Sequence, residues 1–273
     1  MKCGECPGQD FVRYDENAVE KHLKGQMTIG VYPMFSDETC RFLVFDFDGK
    51  GKDYRPEDLH RDITAIRKVC CEKDISMAVE RSRSGNGFHF WIFFAENIPA
   101  SMARKFGSSL ITCAMNKRHA LPFKTYDRMM PAQDTLPNGR FGNLIALPLQ
   151  KAPREHGNSV FVNEDFNAYP DQWNYLYSVK RYTLDEMESF IRRLSPSGEL
   201  GDLRKDSEDE TPWEKKRPEA KLTKSDFPGA VLMCNSTVNC AVSSNRRQML
   251  FWRMTTAFYP RQLPLEKQLS ERI

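Results

Sequence analysis

Apolar residues recur along this chain with two different periods. In "ENAVEKHLKG" (Glu16 to Gly25), Val19, His22 and Leu23 fall on one side at helical spacing, and Gly25 offers a stop. In Arg55 to Asp74, Leu59, Ile63, Ile66 and Val69 or Cys70 recur at three- and four-residue steps, the stripe of an amphipathic helix. Pro99 to Ala120 opens near a proline and predicts a third helix. Elsewhere the pattern is that of strands. "TIGVYPMF" and "CRFLVFDFD" predict two, separated by the turn "SDET". "SMAVERS" predicts a short strand running into a glycine-rich loop, "FHFWIFF" the next strand, and "GRFGNLIALPLQ" a further buried one. The order strand, helix, strand, strand, helix, strand predicts an α+β fold in layers.

The pattern changes near Ser195. Asp202 to Pro218 holds 11 charged residues out of 17 without apolar periodicity, as a solvated linker would. The expected division is an N-terminal segment with one helix (1–27), a folded core (28–196), a charged linker (197–221) and a short C-terminal segment (222–273). In that last segment "RRQMLFWRMTTAFY" reads as one helix that leans on a neighbour for stability. No internal repeat is present.

Composition narrows the classes. The 273 residues are 40% hydrophobic and 28% charged, as in ordinary globular proteins. No apolar run approaches the ~20 residues that span a bilayer. "MKCGECPGQDF" lacks the apolar region of a secretory signal, so no membrane and a cytoplasmic setting are expected. The net charge of +3 neither demands nor excludes a nucleic-acid partner. The eight cysteines are scattered and read as reduced thiols. Cys3 and Cys6 form a C-x-x-C pair, but no second pair follows, so free thiols are expected there rather than zinc. No G-x-x-x-x-G-K-[ST] occurs, so the chain has no P-loop.

Three stretches carry chemistry. In "FLVFDFDGK" the strand period of two puts Asp46 and Asp48 on one face and Phe45 and Phe47 on the other. Paired carboxylates repel unless a cation sits between them, and hard oxygen ligands suit Mg²⁺ or Mn²⁺. "SRSGNG" offers hydroxyls, guanidinium groups and flexible amides to an anion, although its glycine spacing fits no dinucleotide fingerprint. On the strand that follows, His89 shares a face with Trp91 and Phe93, placed to meet a phosphate oxygen. A third carboxylate would complete the set. Asp127, in an apolar setting beside Tyr126, Met129 and Met130, is favoured over Asp134, which precedes turn residues.

In order along the chain, these motifs resemble those of the archaeo-eukaryotic primase superfamily. More closely, "ERSRSGNGFHFWIFF", "YDRMMPAQD" and "FGNLIALPLQ" resemble the primase domain of TOTE conflict systems and CRISPR-associated primase-polymerases, over about Thr28 to Tyr177. The resemblance implies a two-subdomain core with an RRM-like palm sheet. It implies template-directed nucleotidyl transfer with two metal ions, on single-stranded DNA with a primer and an NTP or dNTP. Asp46, Asp48 and Asp127 would be the catalytic metal ligands. Arg81, Ser82, Ser84, Gly87, His89, Gln133 and Asn143 would bind the nucleotide. Two departures stand out. Related enzymes often carry glutamate three residues before the P-x-Q, where this chain has Arg128 beside Asp127. The fused helicase and nuclease parts are absent from this sequence, which suggests a truncated or stand-alone module with a possible helicase or nuclease partner.

Two other classes share part of this logic. A D-x-D glycosyltransferase would use the metal and diphosphate chemistry, yet incorporate no nucleotides. A non-catalytic module that binds nucleic acid and recruits a helicase would not need all three acidic positions, and all three are present.

Overall fold

The computed structural model describes residues 15–49, 55–117, 123–136 and 142–194, together with the backbone of a short strand at 231–233. Its elements are α1 (Glu16–Leu23), β1 (Ile29–Val31), β2 (Thr39–Asp48), α2 (Pro56–Glu72), β3 (Ala78–Arg81), β4 (Gly87–Pro99) and α3 (Ala100–Lys117). Then come β5 (Tyr126–Met130), β6 (Ile145–Ala146), α4 (Lys151–Glu155), β7 (Val160–Phe161), α5 (Gln172–Ser178), β8 (Arg181–Tyr182), α6 (Leu184–Leu194) and β9 (Val231–Met233). The fold is α+β: an antiparallel sheet flanked by helices. Cys3, Cys6, the charged linker and the helix expected around Arg246 to Tyr259 lie outside the described residues. Among the described residues no helix is long and apolar enough to cross a membrane.

The main sheet runs β5-β2-β4-β3-β7, and β8 joins β4 in parallel beyond the end of β3. Its antiparallel register puts Leu43, Phe45, Phe47, Phe88, Phe90 and Met129 on one face. That face receives α3. A Cβ on Gly107 would meet Met129, Leu43 and Phe45, so the missing side chain lets the helix backbone lie close to the sheet. The stripe Leu59, Ile63, Ile66, Val69 and Cys70 of α2 is buried, as its spacing predicts. Asp46 and Asp48 take the opposite face.

Three stretches differ from the sequence-based expectation. Tyr126–Met130 is a strand at the sheet edge rather than a lead-in to one. The run Gly139 to Gln150 holds strand only at Ile145–Ala146 among its described residues, because Pro148 has no amide to donate and Leu149 takes a φ of +68°. Beyond it, Lys151 to Leu194 adds three helices and two short strands. The last of these helices, α6, buries Met187, Phe190, Ile191 and Leu194 and opens on a capping box. There Glu186 accepts from the Thr183 amide at 3.0 Å, and the Thr183 hydroxyl accepts from the Glu186 amide at 3.4 Å.

A small second sheet, β6-β1-β9, is tied to α1 by His22. That ring is 1% exposed; its Nδ1 accepts from the Ile29 amide at 3.0 Å and its Nε2–H donates to the Pro148 carbonyl at 3.0 Å. Burial pulls its pKa down to about 4, so the folded protein holds it neutral. The unfolded chain takes up this proton near pH 6.5 and the folded chain does not. His22 should therefore cost stability as pH falls from about 6.5 towards 4, by an amount on the order of 3 kcal/mol. In urea unfolding, wild type should lose more stability between pH 7 and 4.5 than His22→Gln does. Parallel pH profiles would refute this.

Candidate active site

The site grows from the face of the main sheet left open by α2 and α3. Register sets Glu80 opposite His89, His89 opposite Asp46, and Asp46 opposite Arg128, one polar row across four strands. Asp48, two residues on, lies opposite Gly87 at the end of β2. Its backbone is held from outside the sheet. The Asp48 amide donates to the Thr125 carbonyl at 2.8 Å, while the Thr125 amide and hydroxyl donate to Asp62 of α2 at 3.1 and 3.0 Å. Asp62 is fully buried. Nothing in the pattern of α2 marks this carboxylate as more than a polar residue beside the stripe, yet it fixes where the strand end sits.

Asp127 reaches the same region through an irregularity. Arg128 pairs with Asp46 and Tyr126 with Phe47, so Asp127 is the extra residue of a β-bulge. A bulge takes a residue out of strict alternation and re-aims its side chain. Arg128 Nε and Nη2 both donate to Asp127 Oδ2 at 3.2 Å, bringing the two side chains together beside Asp46. Asp134 is exposed and bonded to Arg104 of α3 at 2.7 Å.

His89 is pinned between acids. Its Nδ1 lies 3.0 Å from Glu80 Oε2 and its Nε2 3.6 Å from Asp46 Oδ1. Burial alone would lower its pKa, but Glu80, with Asp46 and Asp48 beyond it, holds it above the ordinary histidine value. Glu80 was not among the residues that the sequence motifs singled out.

The loop between β3 and β4 differs from the open anion cradle expected of "SRSGNG". Its amides are largely committed within the loop. Ser82 donates to the Gly87 carbonyl at 2.8 Å, Gly85 to the Ser82 carbonyl at 3.0 Å, Asn86 to the Ser84 hydroxyl at 3.3 Å, and Gly87 to the Ser82 hydroxyl at 3.1 Å. Arg81 is committed too: its Nη1 donates to the Gly157 carbonyl at 2.7 Å and its Nη2 to the Phe166 carbonyl at 2.6 Å. What the loop turns outward is Arg83, Ser84 and Asn86. Gln133 and Asn143 are half-buried on either side of the undescribed stretch 137–141. The Gln133 Nε2 is buried with no hydrogen-bond partner among the described residues.

Among the described residues no three His, Cys, Asp or Glu side chains converge as a finished metal cage. The donor set nonetheless suits a hard cation. Mg²⁺ is commonly held by one or two carboxylates and completed by water and substrate phosphate, so a closed protein cage is not required.

With these features in place, the chain can be classed: it is a member of a primase-type nucleotidyltransferase family. More narrowly, the family model for the archaeo-eukaryotic primase domain of TOTE conflict systems matches residues 1–190, and the chain belongs to that family. Such domains bind nucleic acid and nucleotides and typically work with divalent metals. Comparison with curated proteins gives no match.

Proposed function

We propose that the protein is a DNA primase-polymerase that joins nucleotides on a single-stranded DNA template. The observation that carries this reading is the pair Asp46 and Asp48 on one face of β2, with His89 directly across from Asp46, in a chain of the primase family. Asp46, Asp48 and Asp127 hold two Mg²⁺ or Mn²⁺ ions. When bound, such ions activate the attacking 3′-oxygen and neutralise the charge of the departing pyrophosphate. His89 offers Nε2 to a phosphate oxygen of the incoming NTP or dNTP, and Ser84 adds a hydroxyl from the loop. Arg81 and Ser82 act by holding that loop in shape, which leaves Arg83 as its outward-facing guanidinium. Gln133 and Asn143 approach the nucleotide from the segment after β5. A primer and a helicase or nuclease partner complete the expected setting.

The test is primer extension and de novo priming on single-stranded DNA by the full chain, with Mg²⁺ and Mn²⁺ and with NTPs and dNTPs. Incorporation in at least one combination is expected. None in any combination overturns the reading.

The same reading places the catalytic unit within 28–196, supported by the family match to residue 190 and by α6 closing the main sheet at Leu194. A chain ended after Pro196 should still extend primers, since the acidic pair lies in the main sheet and β9 pairs only with β1. Limited proteolysis should cut between Gly198 and Lys221. Resistance there, together with precipitation of the shortened chain, would make the C-terminal segment part of the core.

A further inference from the structure

Glu80 is 2% exposed, and each of its oxygens is used. Oε2 accepts from the indole Nε1–H of Trp91 at 2.8 Å and lies 3.0 Å from His89 Nδ1; Oε1 accepts from the Ser159 hydroxyl at 3.4 Å. We propose that Glu80 is the positioning residue of this site: it holds the His89 ring with Nδ1–H inward and Nε2 turned to the Asp46 side, where the nucleotide phosphate arrives. The proposal rests on the nucleotidyl-transfer reading above. An indole can only donate and a carboxylate can only accept, so an oxygen bonded to both rings leaves His89 Nδ1 as the protonated nitrogen. A flipped ring would present C–H to a buried carboxylate oxygen and lose that bond, with no water there to replace it. The anchoring reaches further. Ser159 precedes β7, and Trp91 is fully buried beside Phe42 and Phe93, so both partners of Glu80 are themselves immobile. The row Glu80, His89, Asp46 then sets the histidine's reach from three adjacent strands. This is the arrangement by which a second carboxylate fixes the tautomer and direction of a working imidazole.

The first test needs no variant. ¹⁵N NMR of the wild-type His89 ring should show the proton on Nδ1 at neutral pH, and a ring protonated only at Nε2 overturns the proposal. Glu80→Ala should erase that signature and raise KM for the incoming nucleotide about tenfold or more, with kcat changed less. Combined with His89→Ala it should add nothing, because the carboxylate acts through the ring. Glu80→Gln keeps an acceptor oxygen for both rings and an amide for Ser159, so it should restore KM to within about threefold of wild type. Effects of Glu80→Ala and His89→Ala that multiply in the double variant overturn the proposal, as does a Gln variant no better than the Ala variant. If Glu80→Ala does not fold, the wild-type spectrum and the Gln variant still decide. If wild type incorporates no nucleotide at all, the polymerase reading falls, and the ring spectra judge Glu80 separately.

Discussion

Replacing Asp46 and Asp48 together by alanine should abolish nucleotide incorporation while leaving the protein folded. The two carboxylates project from one face at the end of β2, away from the helix-covered core that holds Phe45 and Phe47. Like charges this close disfavour each other, so removing both relieves repulsion in the metal-free protein. The contact that is lost is the one between Asp46 and His89, at 3.6 Å and partly exposed. The strand end stays held by the backbone bond from Asp48 to Thr125. A melting temperature within a few degrees of wild type is therefore expected. Activity should respond differently. Without its paired hard ligands the site loses the electrostatic stabilisation of the reacting oxygens, a loss of about a thousandfold or more. Primer extension and thermal melting on the same preparation separate the two effects. Wild-type extension by the double variant would sink the polymerase assignment.

How much of this is legible in the sequence depends on where each residue's partners lie. The helices α1, α2 and α3 declare themselves because one apolar stripe repeats over several turns. Strands β2 and β4 are nearly continuous aromatic and aliphatic runs, and the period of two correctly separates Asp46 and Asp48 from their phenylalanine neighbours. Strand β5 is hidden for the opposite reason. Tyr126, Asp127 and Arg128 are all half-exposed, and the bulge at Asp127 breaks the alternation that would have announced a strand. The capping box and apolar spacing of α6 are readable signals that went unused. Glu80 and Asp62 could not be singled out from pattern alone. Their partners, His89 with Trp91 and Thr125, come from other elements, and register brings them together only after the chain has folded. The glycine-rich loop misleads for a related reason: Ser82 and Ser84 turn its amides inward, and composition does not distinguish a loop that binds itself from one that waits for phosphate.

Gly87 provides the sharpest separation of those two roles. Sequence motifs make it a nucleotide-binding glycine, whereas its surroundings give it a structural task. A Cβ built on Gly87 would lie 2.4 Å from the Phe47 carbonyl oxygen, 3.3 Å from Asp48 Cα and 3.4 Å from the Phe47 carbonyl carbon. All three are backbone atoms of β2, and no rotamer change relieves the clash. Nor can Gly87 swing away, since its amide and carbonyl are both bonded to Ser82. Gly87→Ala must therefore open the β2–β4 pair at Asp48 or break the loop. Overpacking of this kind costs roughly 1–3 kcal/mol, which should lower the melting temperature by roughly 5–10 °C. Incorporation at a temperature where the variant is still folded should fall by at least about tenfold, because Asp48 moves with the strand end. Gly85→Ala is the control. Its φ of +79° makes alanine strained there, but the group its Cβ would meet is the Asn158 side chain, which can rotate. That variant should cost about 1 kcal/mol and leave Asp48 in place. If Gly87→Ala proves as stable and active as Gly85→Ala, the close approach of β4 to β2 is not what sets the position of Asp48.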